Sequence, residues 1–161
     1  MSTRTSTDKP AASRQSVMTM ALRNPRVIAA PSTRLVVTGL IAIGALISAA
    51  SGGIHLYLYG GQYGYRYFTT IGALFLAQGV VAILLALLVL GTRWLAAVVA
   101  TAGFLIATAV GLVLSIYVGL FNFTDSWSAP LAIESFVIEL IGGTLLLVAG
   151  LFLLRPGRSR A

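Results

Sequence analysis

The sequence contains no cysteine, and its 161 residues include only four acidic residues and one histidine. A chain without cysteine forms no disulfide, thiolate metal site or iron–sulfur cluster, so thiol-based redox chemistry is excluded. One histidine per chain also excludes a bis-histidine haem site and a three-histidine zinc site unless several chains assemble. Charged residues make up 9% of the chain, against about 25% in soluble domains. This shortage of charge is not typical of a soluble domain.

Sequence motifs for catalysis are absent as well. The chain has no phosphate-cradling glycine loop, nucleophile elbow, HExxH motif or dinucleotide fingerprint. We therefore predict no catalytic residue, no cofactor and no metal site, and we favour a protein that is not an enzyme. A weak divalent-ion site made of His55, Asp125 and Glu134 is the one metal alternative left open.

Apolar residues are abundant: they form 58% of the chain, and the mean hydropathy is +0.94. About 20 apolar residues in a helix cross a hydrocarbon layer roughly 30 Å thick. The sequence predicts an all-α membrane protein, a bundle of four transmembrane helices over residues 34–155, with the lipid bilayer as its partner. The predicted helices cover residues 35–58, 70–90, 94–120 and 130–154.

Basic residues are concentrated at the two ends of the sequence and in the short link between the second and third runs. By the positive-inside rule both termini are cytoplasmic, and loops 59–69 and 121–129 face outward. We expect a multi-pass protein of the cell (inner) membrane, with a disordered basic tail over 1–33 and a second basic cytoplasmic tail over 156–161. The first run resembles a signal peptide, but its apolarity continues past Ala50 to Leu58, which favours an uncleaved helix. Because the basic residues lie mainly in the tails and not on a folded basic face, we do not expect nucleic-acid binding.

Small residues recur every four positions in two of the runs, and small residues at this spacing let helices approach closely in lipid. We expect the bundle to pack through both stripes. They are Gly44, Ser48 and Gly52 in the first run, and Gly103, Ala107, Gly111 and Ser115 in the third.

Polar groups inside the apolar runs are the candidate site residues, because such groups are costly in a bilayer and usually face the protein interior. Depth counted from the predicted helix ends gives two levels, and it predicts a contact between His55 and Glu134. The shallow level holds His55, Ser115 and Glu134, and the deeper one holds Ser48, Gln78 and Glu139. The primary candidates for ligand binding or proton relay are His55, Arg66, Gln78, Glu134 and Glu139, and the secondary ones are Ser48, Tyr59, Ser115 and Asp125.

Three functional interpretations remain open. The favoured one is a non-enzymatic subunit or binding module with an outward-facing polar pocket, working with a membrane-protein partner or as a homo-oligomer. The second is a proton-coupled small transporter that uses Glu139 and His55, although the apolar inner half of the runs offers no onward polar route. The third is a quinone-site or redox-associated membrane protein, in which His55 and a tyrosine bind the head group. The tyrosine-rich loop around Arg66 is either an interfacial aromatic belt or a lid over the pocket.

Overall fold

The computed structural model describes residues 9–155, and this part of the chain is built from helices. Four of the described helices are long and apolar enough to cross a membrane, as the sequence predicts. The helices are α1 (Lys9–Ala21), α2 (Pro31–Gly60), α3 (Thr69–Thr92), α4 (Leu95–Tyr117) and α5 (Ala132–Leu154), with short 3-10 turns at Pro25–Val27 and Tyr65–Tyr67.

Helices α2 to α5 form an up-and-down bundle in which α2 packs against α3 and α5, and α5 packs against α4. The fourth seam, between α3 and α4, is the loosest of the ring. One end of the bundle carries loops 61–68 and 118–131, and we call it the loop end. The opposite end carries the start of α2, the two-residue turn 93–94 and the end of α5, and we call it the termini end.

Local backbone conformation decides where these helices stop. Arg93 adopts a left-handed conformation (φ 53°) directly after α3, and Gly119 does so (φ 80°) two residues after α4. A left-handed residue just beyond a helix end is a common helix terminator, and it is least strained in glycine. Before α5, Leu131 has φ 59°, so α5 begins at Ala132 and not at residue 130 as predicted.

The N-terminal region differs from the predicted disordered tail over its described part. Residues 9–21 are helical, and the following segment contacts the termini end of the bundle. The Arg23 guanidinium donates to the carbonyl oxygens of Leu153 (3.4 Å) and Leu154 (3.1 Å), and the Arg23 carbonyl accepts from the amide of Leu95 (2.7 Å). The last carbonyls of a helix lack partners within it and favour a nearby cation. Residues 1–8 and the predicted tail 156–161 lie outside the described residues.

The small-residue stripe of α2 packs closely against its neighbours, as expected. A Cβ on Gly52 would lie 2.8 Å from the carbonyl oxygen of Gly79 on α3, and one on Gly44 would lie 2.5 Å from Cγ of Leu146 on α5. Ser48, between the two glycines, is fully buried and donates to the carbonyl of Ala82 (3.0 Å).

The expectation for the stripe of α4 is wrong. A Cβ added to Gly103 or to Gly111 would meet no heavy atom within 4 Å, so no neighbouring helix lies against either position. The second set of close-packed glycines is on α5. A Cβ on Gly142 would lie 2.6 Å from Cγ2 of Ile47, and one on Gly143 would lie 2.8 Å from Cγ1 of Ile106.

Candidate functional site

A cavity of about 400 Å³ lies between the halves of α3 and α4 that are nearer the loop end. Its walls are one face of α3 and one face of α4, with positions at helical spacing on both, and α2 and α5 form its back. The α3 face includes Leu74, Phe75, Ala77, Gln78 and Val81, and the α4 face includes Phe104, Ala107, Thr108, Gly111 and Ser115. Three residues that the sequence assigned to helix packing thus line this space instead: Ala107, Gly111 and Ser115.

The polar part of the cavity is centred on Glu139, whose side chain is almost fully buried on α5. Its Oε1 atom accepts from the Ser51 hydroxyl (2.7 Å) and from the Gln78 amide nitrogen (3.2 Å). Nδ1 of His55 lies 3.9 Å from the same oxygen. A buried carboxyl group is costly unless hydrogen bonds compensate it, and here donors from α2 and α3 converge on it.

His55 is held by its own helix. Its Nδ1 lies 2.9 Å from the carbonyl oxygen of Ser51, and because a carbonyl only accepts, Nδ1 carries the hydrogen in this contact. The other ring nitrogen is therefore an acceptor in the neutral ring and a donor in the charged ring. The ring also packs against Phe75, with the centroids 5.2 Å apart. His55 thus provides the cavity with a polar group that either accepts or donates.

Two serine hydroxyls at the cavity have no hydrogen-bond partner among the described residues. They belong to Ser115 on α4 and Ser135 on α5, which are 6% and 5% exposed. A hydroxyl in a helix commonly donates to a carbonyl of the preceding turn, as Thr101 does to Ala97 (2.8 Å). Because buried polar atoms are nearly always partnered, these two hydroxyls are exceptions at the cavity wall.

Aromatic side chains close the cavity at the loop end. The ring of Tyr65 is buried and stacks on Phe75 (centroids 4.6 Å apart), and Phe123 meets it edge-on at 6.0 Å. Burial raises the pKa of the Tyr65 hydroxyl, and the negative charge of Asp125 adds to this effect. Burial also raises the pKa of the Asp125 carboxyl, against the opposing effect of the Ser126 backbone N–H that it accepts.

Five of the nine predicted site residues line the cavity, and four do not. Ser48 is a packing residue between α2 and α3, and Tyr59 is half-buried outside the cavity. Arg66 is exposed and donates to the Gly60 carbonyl (3.3 Å) and the Tyr67 hydroxyl (3.0 Å). Glu134 is exposed at the start of α5. The lining set is His55, Gln78, Glu139, Ser115 and Asp125.

The predicted contact between His55 and Glu134 is therefore wrong, and the acid near His55 is Glu139. Helix α2 extends two residues beyond its predicted end, and α5 begins two residues after its predicted start. At 1.5 Å per residue, these shifts reduce the difference in depth between His55 and Glu139 from about 9 Å to about 3 Å. His55 and Glu139, which the sequence assigned to different levels, therefore lie at nearly the same depth.

The prediction missed two buried serines near Glu139, Ser51 and Ser135, although the sequence contained a signal for both. Ser51 precedes His55 by four positions, and Ser135 precedes Glu139 by four, so each lies on the same helix face as a primary candidate. Ser51 lies between Ala50 and Gly52, which made it look like a packing residue.

The cavity also differs in character from the predicted polar pocket, because most of its lining side chains are apolar or aromatic. No group of three His, Asp or Glu side chains that could hold a metal ion occurs within the described residues. The mixed site of His55, Asp125 and Glu134 is thus not formed.

Compared with known proteins, the chain matches no family model, no curated protein and no solved structure. The class of protein is therefore inferred from the fold alone. Four apolar helices of spanning length in one bundle are compatible with a small multi-pass membrane protein.

Proposed function

We propose that this chain is a non-enzymatic membrane protein that binds a small ligand in the cavity between α3 and α4. The observation that carries the proposal is the pairing of an open, mainly apolar cavity with buried polar groups at its back. Ligand sites commonly combine an apolar wall with a few placed polar groups, in volumes of about 300–1,000 Å³. The polar contacts come from Glu139, His55 and Gln78.

Binding is favoured over transport because the packed core towards the termini end is apolar. Buried side chains such as Ile41, Leu105 and Leu146 form this core. The buried hydroxyl of Thr101 donates to its own helix. A proton or solute leaving Glu139 in that direction meets no chain of polar groups among the described residues, whereas a binding site needs none.

A matched pair of glycines on α4 tests the proposal. Gly111 lines the cavity and Gly103 does not, and a Cβ at either position meets nothing within 4 Å. Gly111→Leu therefore fills the cavity, while Gly103→Leu places the same side chain outside it. We expect native mass spectrometry in mild detergent to show a bound non-protein mass on the wild type and on Gly103→Leu, and its loss from Gly111→Leu.

An equal bound mass on both glycine variants, or none on the wild type, would contradict ligand binding in this cavity. Extraction of the molecule that the wild type binds and Gly111→Leu does not bind identifies the chemical class of the ligand. A quinone in the extract would support cavity binding and select the redox-associated form of the function.

For the orientation, we propose that the loop end faces outward and that both termini are cytoplasmic. Arg23, Arg34, Arg93 and Arg155 lie at the termini end, whereas Arg66 is the arginine of the loop end, a distribution that follows the positive-inside rule. Because the chain has no cysteine, single Ser→Cys variants report orientation cleanly.

We expect a membrane-impermeant maleimide applied to intact cells to label Ser126→Cys, which lies in exposed loop 118–131. Ser32→Cys, at the exposed start of α2, should react only after permeabilisation. The reverse pattern would show the opposite orientation.

A further inference from the structure

The geometry points to a membrane-borne amphiphile as the ligand, with a non-anionic, hydrogen-bond-donating head group at Glu139 and an alkyl chain that leaves sideways between α3 and α4. This inference rests on the proposed function, since it names the class of ligand for the same cavity. Three features support it: the position of the opening, the charge of the lining and the size of the space.

The opening lies on the side of the bundle. The exposed lining residues are found mainly on the facing flanks of α3 and α4, where Leu74 is 43% and Val81 38% exposed and Ala77 and Ala107 are also exposed. At the loop end, by contrast, the buried ring of Tyr65 and its aromatic neighbours cover the cavity. In a bilayer, a gap in the flank of apolar helices faces hydrocarbon, so a ligand enters from the lipid and its apolar part leads out to it.

The lining selects against an anionic head group. It includes two carboxyl groups, Glu139 and Asp125, and contains neither lysine nor arginine. Nδ1 of the one histidine in the lining, His55, contacts the Ser51 carbonyl and lies 3.9 Å from Glu139 itself. Arg66, the arginine of the loop end, is exposed and already engaged by Gly60 and Tyr67 outside the cavity. Burying an anion beside carboxyl groups without a cation carries a desolvation cost and a repulsion, whereas a hydroxyl or an ammonium group donates to them.

The size of the cavity limits how much of the ligand it encloses. At about 400 Å³ it lies near the lower end of small-molecule sites. His55 and Glu139 are at its back, on α2 and α5, and the exposed apolar residues Leu74 and Val81 of α3 lie at its mouth. A head group with the first part of its chain fits inside, and the remaining chain extends through the seam.

Photo-crosslinking in lipid nanodiscs tests this inference with a probe of defined chemistry, a twelve-carbon alkylamine that carries a diazirine in its chain. We expect labelled peptides to map to residues 74–81 and 104–111. Unlabelled dodecylamine and dodecanol should compete with the probe, and dodecanoate should need at least about tenfold more, equivalent to a 1.4 kcal/mol difference.

A matched pair of variants tests the lateral route. Ala107→Phe places a ring at the mouth of the seam, and Ala100→Phe places one on the same exposed side of α4, two turns away and outside the lining. We expect Ala107→Phe to lose at least about nine-tenths of the labelling, a tenfold change, and Ala100→Phe to retain it. Ala77→Phe blocks the mouth from α3 and should act like Ala107→Phe, and melting curves verify that each variant is folded.

Equal competition by dodecanoate, or equal labelling of the Ala107 and Ala100 variants, would overturn the inference. The two proposals fail separately. If Gly111→Leu removes the native bound mass while the amine probe shows no selectivity, the cavity binds a ligand of another class. If the Gly111 and Gly103 variants also behave alike, the ligand cavity itself is wrong.

Discussion

The seam between α2 and α3 and the seam between α3 and α4 contain the same kind of residue and have opposite outcomes. In the first, Gly52 and Gly79 bring the two backbones into contact. In the second, Gly111 faces open space. A small residue permits close approach of two helices but does not cause it.

The partner surface explains the difference. Towards α2, helix α3 presents Gly79 and Ala82 at Gly52, and a Cβ on Gly79 would itself lie 2.6 Å from Cγ of Leu56 on α2. On its cavity face it presents larger side chains, Leu74, Phe75 and Gln78. At the loop end, the ring of Phe75 stacks with Tyr65. At each closed seam a residue of the facing helix fills the space beside the glycine, as Gly79 does at Gly52 and Leu146 does at Gly44, whereas none does so at Gly111.

The largest effect is expected at the closed seam. Gly52→Leu forces a side chain against the Gly79 carbonyl, which lies 2.8 Å from the position of a Cβ at residue 52. Because backbone cannot move aside as a flexible side chain does, we expect the free energy of unfolding to fall by about 3 kcal/mol, measured by reversible unfolding in mixed micelles.

The seam between α3 and α4 supplies the control for Gly52→Leu. Gly111→Leu adds the same side chain where nothing lies within 4 Å, and leucine favours a helix over glycine by up to about 1 kcal/mol. We expect unchanged or slightly increased stability. A loss at residue 111 as large as that at residue 52 would remove the distinction between the two seams.

A smaller effect is expected at the polar back of the cavity. Glu139→Leu removes the acceptor of the Ser51 hydroxyl and the Gln78 amide, and leaving buried donors unpaired should lower the free energy of unfolding by about 2 kcal/mol. Glu139→Gln keeps an acceptor oxygen and should cost less than about 1 kcal/mol in the same unfolding measurement. If both variants cost the same, the hydrogen bonds to Glu139 do not stabilise the fold.

The sequence predicted the number and approximate extent of the long helices, because each apolar run is long enough to span a bilayer by itself. It also found Glu139, His55 and Gln78, since polar groups in such runs stand out. It did not predict which acid meets His55, because an error of two residues at two helix ends changed the relative depth by about 6 Å. Nor did it separate the packing glycines from the cavity-lining one, since this depends on a neighbouring helix that no local pattern identifies.

The short turn 93–94 has a mechanical consequence. Helices α3 and α4 meet there, and Arg23 fixes the same end of the bundle through Leu95 and the last carbonyls of α5. A tilt of α3 relative to α4 therefore pivots at this turn. Leu74 lies 19 residues from Arg93, a lever arm of about 28 Å, so a rotation of only about 5° moves it by about 2 Å. A widening of the mouth by this amount would leave the anchored end of the bundle in place.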